Sequence, residues 1–174
     1  MIRVLEPATV NQLDQVRILM RAFVSWAQIR YSEDIAFVRR YFDEAAFEAE
    51  LAGLPGKYAR PQGRLLLAIV DDRPAGCVGF RELSAGVCEM KRLYVDTSFH
   101  GKGVGRALVS TLISEAKLAG YSTMRLDTGP NQSEAQNLYS SAGFRLIQPY
   151  YDLPDELRTW LVFMELDLTT SPVT

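Results

Sequence analysis

The 174-residue sequence holds few of the residues that build metal centres and disulfide frameworks: one histidine and two cysteines, Cys77 and Cys88. The cysteines lack metal-ligand spacing and lie in strand-like runs, so they read as buried thiols, and no metal is expected. Long apolar runs are missing too. The longest, Leu65–Val70, is far too short to cross a bilayer, so no membrane partner is expected. Met1–Glu6 has no apolar signal core and no small-residue cleavage site, which makes cytoplasmic placement the expectation. An excess of positive charge is also absent. The formal net charge is −2, whereas a nucleic-acid surface is normally basic, so no nucleic-acid partner is expected. No repeat, linker or low-complexity tract divides the chain. Its length suits one domain with a real core, and residues 1–174 are read as one unit.

What is present alternates between strand and helix patterns. Ile2–Leu5 reads as a short strand. Thr9 precedes Gln12 at capping-box spacing, and Leu13, Val16, Met20, Phe23 and Ala27 recur at helical intervals, predicting a helix to about Trp26. Ile35 to Leu51 reads as a second helical region. Gly53, Pro55, Gly56, Pro61 and Gly63 then form a loop. Leu65–Val70 is apolar throughout, as expected of a strand covered on both faces. Ala75–Leu83 and Val87–Val95 read as a hairpin pair. A helix after Gly105 ends at Gly120, a strand covers Thr123–Asp127, and Ser133–Ala142 is a helix closed by Gly143. Val162–Leu168 is a last strand, preceded by the irregular, aromatic stretch Tyr150–Leu161. This order predicts an α/β domain with a mixed, mostly antiparallel sheet, helices on both faces and one parallel β-α-β unit.

The stretch from Val95 to Arg106 carries the most information. A strand pattern ends, Gly101, Gly103 and Gly105 alternate with other residues, and an amphipathic helix begins. Glycines allow close backbone approach, and a helix start offers unpaired N–H groups and partial positive charge, so the loop reads as a phosphate cradle. A P-loop is a poor match, because Lys102 precedes the last two glycines. A dinucleotide fingerprint begins at Gly101 and Gly103, with Asp127 near the place of a ribose-binding acid. However, Arg106 stands where the third glycine belongs, and the chain is short for such a protein.

The run Glu89–Arg106, followed by Asn131-x-x-x-Ala135-x-x-Leu138-Tyr139-x-x-x-Gly143-Phe144, resembles the GNAT (GCN5-related N-acetyltransferase) superfamily. Gly103 and Gly105 fall on the two small positions of its [Q/R]-x-x-G-x-[G/A] motif. His100 departs from the Gln or Arg usual there, which puts that side-chain contact in question and leaves the backbone cradle intact.

The resemblance implies a GNAT fold with splayed central strands, and transfer of an acetyl group from acetyl-CoA to an amine of a small molecule or peptide. Residues His100, Gly101, Lys102, Gly103, Val104, Gly105 and Arg106 would hold the pyrophosphate. Leu93, Tyr94 and Val95 would line the pantetheine arm, with the backbone of Leu93 and Val95 pairing with its amides. Glu89 matches a general-base position and reads equally as a salt-bridged structural acid. Tyr139 matches the tyrosine that protonates the departing thiolate; packing beside Leu138 and Phe144 is its other reading. Asn131 matches a cofactor-contacting asparagine or is a cap. Lys102 and Arg106 reach phosphates or are simply solvated. For the acceptor, Trp26, Tyr31, Tyr41, Tyr150, Tyr151 and Trp160 are candidate walls, and the acids between Glu33 and Glu50 are diluted by Arg30, Arg39 and Arg40. A non-catalytic acyl-CoA-binding module would use the same loop. Dimers are frequent in the family, and a homodimer stays open.

Overall fold

The computed structural model describes residues 1–130 and 132–170. Seven strands form one sheet: β1 (Ile2–Leu5), β2 (Arg64–Val70), β3 (Arg73–Ser84), β4 (Val87–Val95), β5 (Thr123–Thr128), β6 (Arg145–Ile147) and β7 (Val162–Asp167). Their spatial order is β1-β2-β3-β4-β5-β7-β6. Every neighbouring pair is antiparallel except β4–β5, the two strands joined through helix α4 (Val104–Leu118). Among the described residues, no helix is long and apolar enough to cross a membrane.

The apolar run of β2 explains the layering. All seven of its residues are buried. Leu65, Leu67 and Ile69 pack with Val16, Leu19 and Met20 of helix α1 (Val10–Arg30). Leu66, Ala68 and Val70 point the other way, into a cluster with Leu108, Leu112 and Ala116 of α4. A strand with a helix on each face needs no polar face, which is why its sequence does not alternate. The Thr9 hydroxyl accepts from Gln12 N–H at 3.2 Å, and the Gln12 side chain closes the capping box that starts α1.

Three segments differ from the sequence-based expectation. α1 continues one turn past Trp26, to Arg30. The region Ile35–Leu51 is two helices, α2 (Ile35–Tyr41) and α3 (Glu44–Ala52), because the Asp43 carboxylate accepts from Ala46 N–H at 2.8 Å and opens a new helix. The stretch read as irregular contains helix α6 (Asp155–Trp160), and strand β6 precedes it. Both elements are too short to show a period. Helix α5 (Ser133–Ser141) lies between β5 and β6.

Leu112 is fully buried against the sheet. Replacing it with alanine is expected to lower the unfolding free energy by about 2–5 kcal/mol. Urea titration of Leu112→Ala, with an unchanged m-value, checks this.

Candidate active site

The site begins where a ladder stops. β4 and β5 pair only through Val87–Thr123, Cys88–Met124 and Glu89–Arg125, although β4 runs on to Val95 and β5 to Thr128. Beyond Glu89 the strands separate. Two features of β4 shape the gap. Between the partners Gly79–Lys91 and Cys77–Tyr94, β4 has one residue more than β3, which makes a bulge at Arg92 and Leu93. Arg92 takes φ 63°, the left-handed region that a residue with a side chain seldom adopts. Its side chain anchors the bulge. The guanidinium meets Glu50 at 2.8 and 3.2 Å and lies 5.2 and 5.3 Å from the ring centres of Phe42 and Phe47. Burial works against the Glu50 charge, but Arg92 and Lys57 outweigh it and hold that carboxyl down at about 2.

The second feature is the end of β4. Asp96 N–H donates to the Ala75 carbonyl at 2.9 Å. By the alternation of an antiparallel ladder, Val95, opposite Gly76, turns its N–H and carbonyl towards the gap. His100 Nε2 lies 2.9 Å from that carbonyl and donates to it. The His100 side chain is therefore folded back on β4, and the Val95 carbonyl, expected to face a ligand, is already engaged.

The glycine loop leaves its amides open. Gly101 and Gly103 have φ 74° and 83°, and Gly103 caps α4 with no side chain in the way. Lys102 N–H donates to the Phe99 carbonyl at 3.3 Å, and the first helical bond runs from Ala107 to Gly103. Among the described residues, no hydrogen bond engages the N–H of Gly101, Gly103, Val104, Gly105 or Arg106. At Gly105 a Cβ would lie 3.2 Å from Leu138 of α5, so a small residue lets the two helix ends meet there.

A groove of ≈540 Å³ runs along this loop. Leu93, Tyr94, Val95, His100, Gly101, Gly103, Val104 and Gly105 line it, together with Trp26, Arg30 and Gln132, which the sequence had not marked for this groove. Lys102 and Arg106 do not line it. The Lys102 ammonium sits 5.1 Å from the Phe99 ring centre, and Arg106 is exposed. Asn131 lies outside the described residues.

A smaller cavity of ≈80 Å³ adjoins the groove through the shared walls Phe23, Leu93, Gln132 and Ala135. Tyr139 lines it. Among the described residues no group hydrogen-bonds its hydroxyl. Burial, followed by the charge of Asp127, pushes this phenol above its ordinary value, so it stays protonated at neutral pH. Tyr31, Tyr41 and Trp160 also line this cavity, as the aromatic pattern suggested, whereas Tyr150 and Tyr151 act from behind it through their hydroxyls. Asp127 is the carboxylate in the wall; it accepts from Tyr41 at 2.5 Å and from Tyr151 at 2.6 Å. The sequence had placed Asp127 only in the rejected dinucleotide reading, since nothing local marks which face of β5 meets a cavity.

Glu89 lines neither cavity. It is 2% exposed, with Arg81 at 3.1 Å, Lys91 at 3.5 Å and the Tyr150 hydroxyl at 2.5 Å. Burial raises its pKa, but Lys91, Tyr150 and Arg81 together outweigh burial and leave it below the ordinary value. Cys77 and Cys88 are buried and free, and burial pushes both thiols up to about 12, which makes them poor nucleophiles.

The fold is shared with solved acetyltransferases. One from Staphylococcus aureus, of the GNAT family, matches with TM-score 0.72 and 20% identity over 97% of this chain and 100% of that one. PaiA N-acetyltransferase from Thermoplasma acidophilum, solved in complex with coenzyme A, matches with TM-score 0.73 and 18% identity over 96% and 99%. Residues 19–144 match the model of the acetyltransferase (GNAT) family, and the chain belongs to that family. An uncharacterised N-acetyltransferase of Schizosaccharomyces pombe is 38% identical over 69% of this chain and 73% of its own length. Human N-acetylaspartate synthetase is 31% identical over 72% of this chain and 43% of its own length.

The Glu50–Arg92 pair yields a prediction. The Glu50 carboxyl is depressed in the folded state, so its stabilisation is complete above the ordinary carboxylate range and is lost as pH falls towards about 2. Glu50→Gln leaves the Arg92 charge buried and unanswered. It is expected to cost roughly 3–5 kcal/mol at neutral pH and to flatten the acid limb of stability against pH, as read by urea unfolding across that range.

Proposed function

We propose that residues 1–174 act as one N-acetyltransferase domain that moves an acetyl group from acetyl-CoA to a primary amine, both bound at once. The observation that carries this reading is the row of unengaged amides at Gly101, Gly103, Val104 and Gly105, residues that line a groove adjoining a cavity lined by Tyr139. Those amides and the partial positive charge of the α4 terminus suit a pyrophosphate. The Val95 N–H, turned into the gap between β4 and β5, suits an amide carbonyl of the pantetheine arm, as in an added strand. When bound, acetyl-CoA supplies the acetyl group as a reactive thioester.

Three proton movements then accompany the transfer: two protons leave the nitrogen for solvent water, and the chain's own residues supply one to the sulfur. The amine attacks only when neutral, and a free alkyl amine has a pKa of about 10.4, so one proton leaves the ammonium first. As the new C–N bond forms and the C–S bond breaks, the nitrogen gives up a second proton and the sulfur takes one. Tyr139, protonated and with its hydroxyl unspent, is the donor to sulfur. Leu93 N–H, on the bulge that Arg92 holds, is a candidate donor to the carbonyl oxygen as charge builds there. Glu89 suits a positioning role better than that of base: two cations keep it ionised but weaken its pull on a proton, and it fixes Lys91 in the cavity wall and Tyr150 behind it.

Calorimetric titration with acetyl-CoA and with NAD, followed by detection of free thiol with an amine panel, tests the reading. Binding of acetyl-CoA with amine-dependent thiol release supports it; binding of NAD alone defeats it, and acetyl-CoA binding without transfer to any amine or peptide favours a non-catalytic module. Tyr139→Phe is expected to lower kcat by about 10²-fold with acetyl-CoA affinity unchanged. Equal loss in both would assign Tyr139 to packing. For Glu89→Gln the pH–rate profile is expected to keep its shape at reduced amplitude; loss of an acidic limb would make Glu89 the base.

A further inference from the structure

We propose, resting on the acetyltransferase reading, that the acceptor presents a compact primary amine and that Asp127 receives its ammonium. The charges in the wall of the smaller cavity support this. Among the described residues, three charged residues line it: Lys91, Arg92 and Asp127. Arg92 shares Glu50 with Lys57, and Lys91 shares Glu89 with Arg81. Asp127 forms no salt bridge among the described residues. Its partners are two neutral phenols, Tyr41 and Tyr151. It is thus the charge in that wall with no ionic partner among the described residues.

That charge is felt around it. After burial, the field of Asp127 is the next cause raising the phenols of Tyr41, Tyr139, Tyr150 and Tyr151 above their ordinary values. A half-buried carboxylate without a counter-ion is costly, and a cation from outside relieves that cost. The carboxylate has room for it: its two oxygens offer about four acceptor directions, and the tyrosines take one on each oxygen. An ammonium seated there lies beside Tyr139, the group assigned to the departing sulfur.

Size narrows the class. The cavity holds ≈80 Å³, against ≈540 Å³ for the groove. Trp160 roofs it, its indole N–H donating to Asp34 at 3.1 Å and its ring 5.0 Å from that of Tyr31. The reacting end of the acceptor has to fit that volume.

The test uses the intact protein with acetyl-CoA. Butylamine and 2-phenylethylamine are compared with a six-residue peptide by thiol release, and each amine is compared with its matching alcohol as a ligand of the wild-type protein. The compact amines are expected to have the higher kcat/KM. Each is expected to bind about tenfold or more tightly than its alcohol, the scale of one charged hydrogen bond. Asp127→Asn is expected to raise the amine KM about tenfold without changing acetyl-CoA affinity, and to erase the amine-over-alcohol preference. Equal binding of amine and alcohol, or preference for the peptide, overturns the proposal. If the variant does not fold, the wild-type amine and alcohol pair decides. Absence of acetyl-CoA binding defeats the acetyltransferase reading instead, and the amine-to-alcohol ratio still judges Asp127.

Discussion

The early end of the β4–β5 ladder is the constraint on which the site depends. Two parallel strands that paired along their whole length would leave no backbone polar group for a ligand and no space between them. Here pairing stops at Glu89 and Arg125. The bulge at Arg92 then changes the direction of β4, and Val95 turns its polar groups into the opening. A left-handed residue in a strand costs free energy unless its surroundings compensate. The Glu50 carboxylate and the Phe42 and Phe47 rings provide that compensation, so helix α3 and the loop before it take part in shaping a groove they do not line.

Charge is distributed with the same economy. Around the gap, each of three carboxylates holds two cations: Glu50 holds Arg92 and Lys57, Glu89 holds Arg81 and Lys91, and Glu165 holds Arg125 and Arg145. Two places stand outside these pairings among the described residues. One is the row of amide donors at the start of α4, positive in character. The other is Asp127, negative. They belong to adjoining cavities, one suited to a diphosphate and the other to an ammonium. Tyr139 lines the second, and its ring packs against Phe144 with centres 5.8 Å apart.

Much of this was legible in the sequence, for identifiable reasons. The strands and helices with a strong apolar pattern, such as Leu65–Val70 and the face of α4, appear as read, and the glycine run does turn the chain into α4. α6 and β6 were missed because six residues and three residues carry no period. The break at Asp43 is a capping event whose partner, Ala46 N–H, is invisible until the chain turns. The positions of Glu89 and Asp127 depended on tertiary neighbours: Tyr150 is 61 residues from Glu89, and Tyr41 is 86 from Asp127. The His100 ring turns back to the strand it follows, a contact its place in the motif did not indicate.

The roof of the smaller cavity is assembled from distant segments. Trp160 reaches Asp34 across 126 positions, and the Tyr31 hydroxyl donates to the Pro130 carbonyl at 2.6 Å, past Gly129, where a Cβ would lie 2.5 Å from that hydroxyl. None of Trp160, Tyr41 and Val38 borders the coenzyme-sized groove. If the groove takes the donor and the smaller cavity the acceptor, as proposed above, substitutions in α2 and α6 remodel what is received and leave the delivering loop intact, a division of labour by which one scaffold diversifies its customers without relearning its trade.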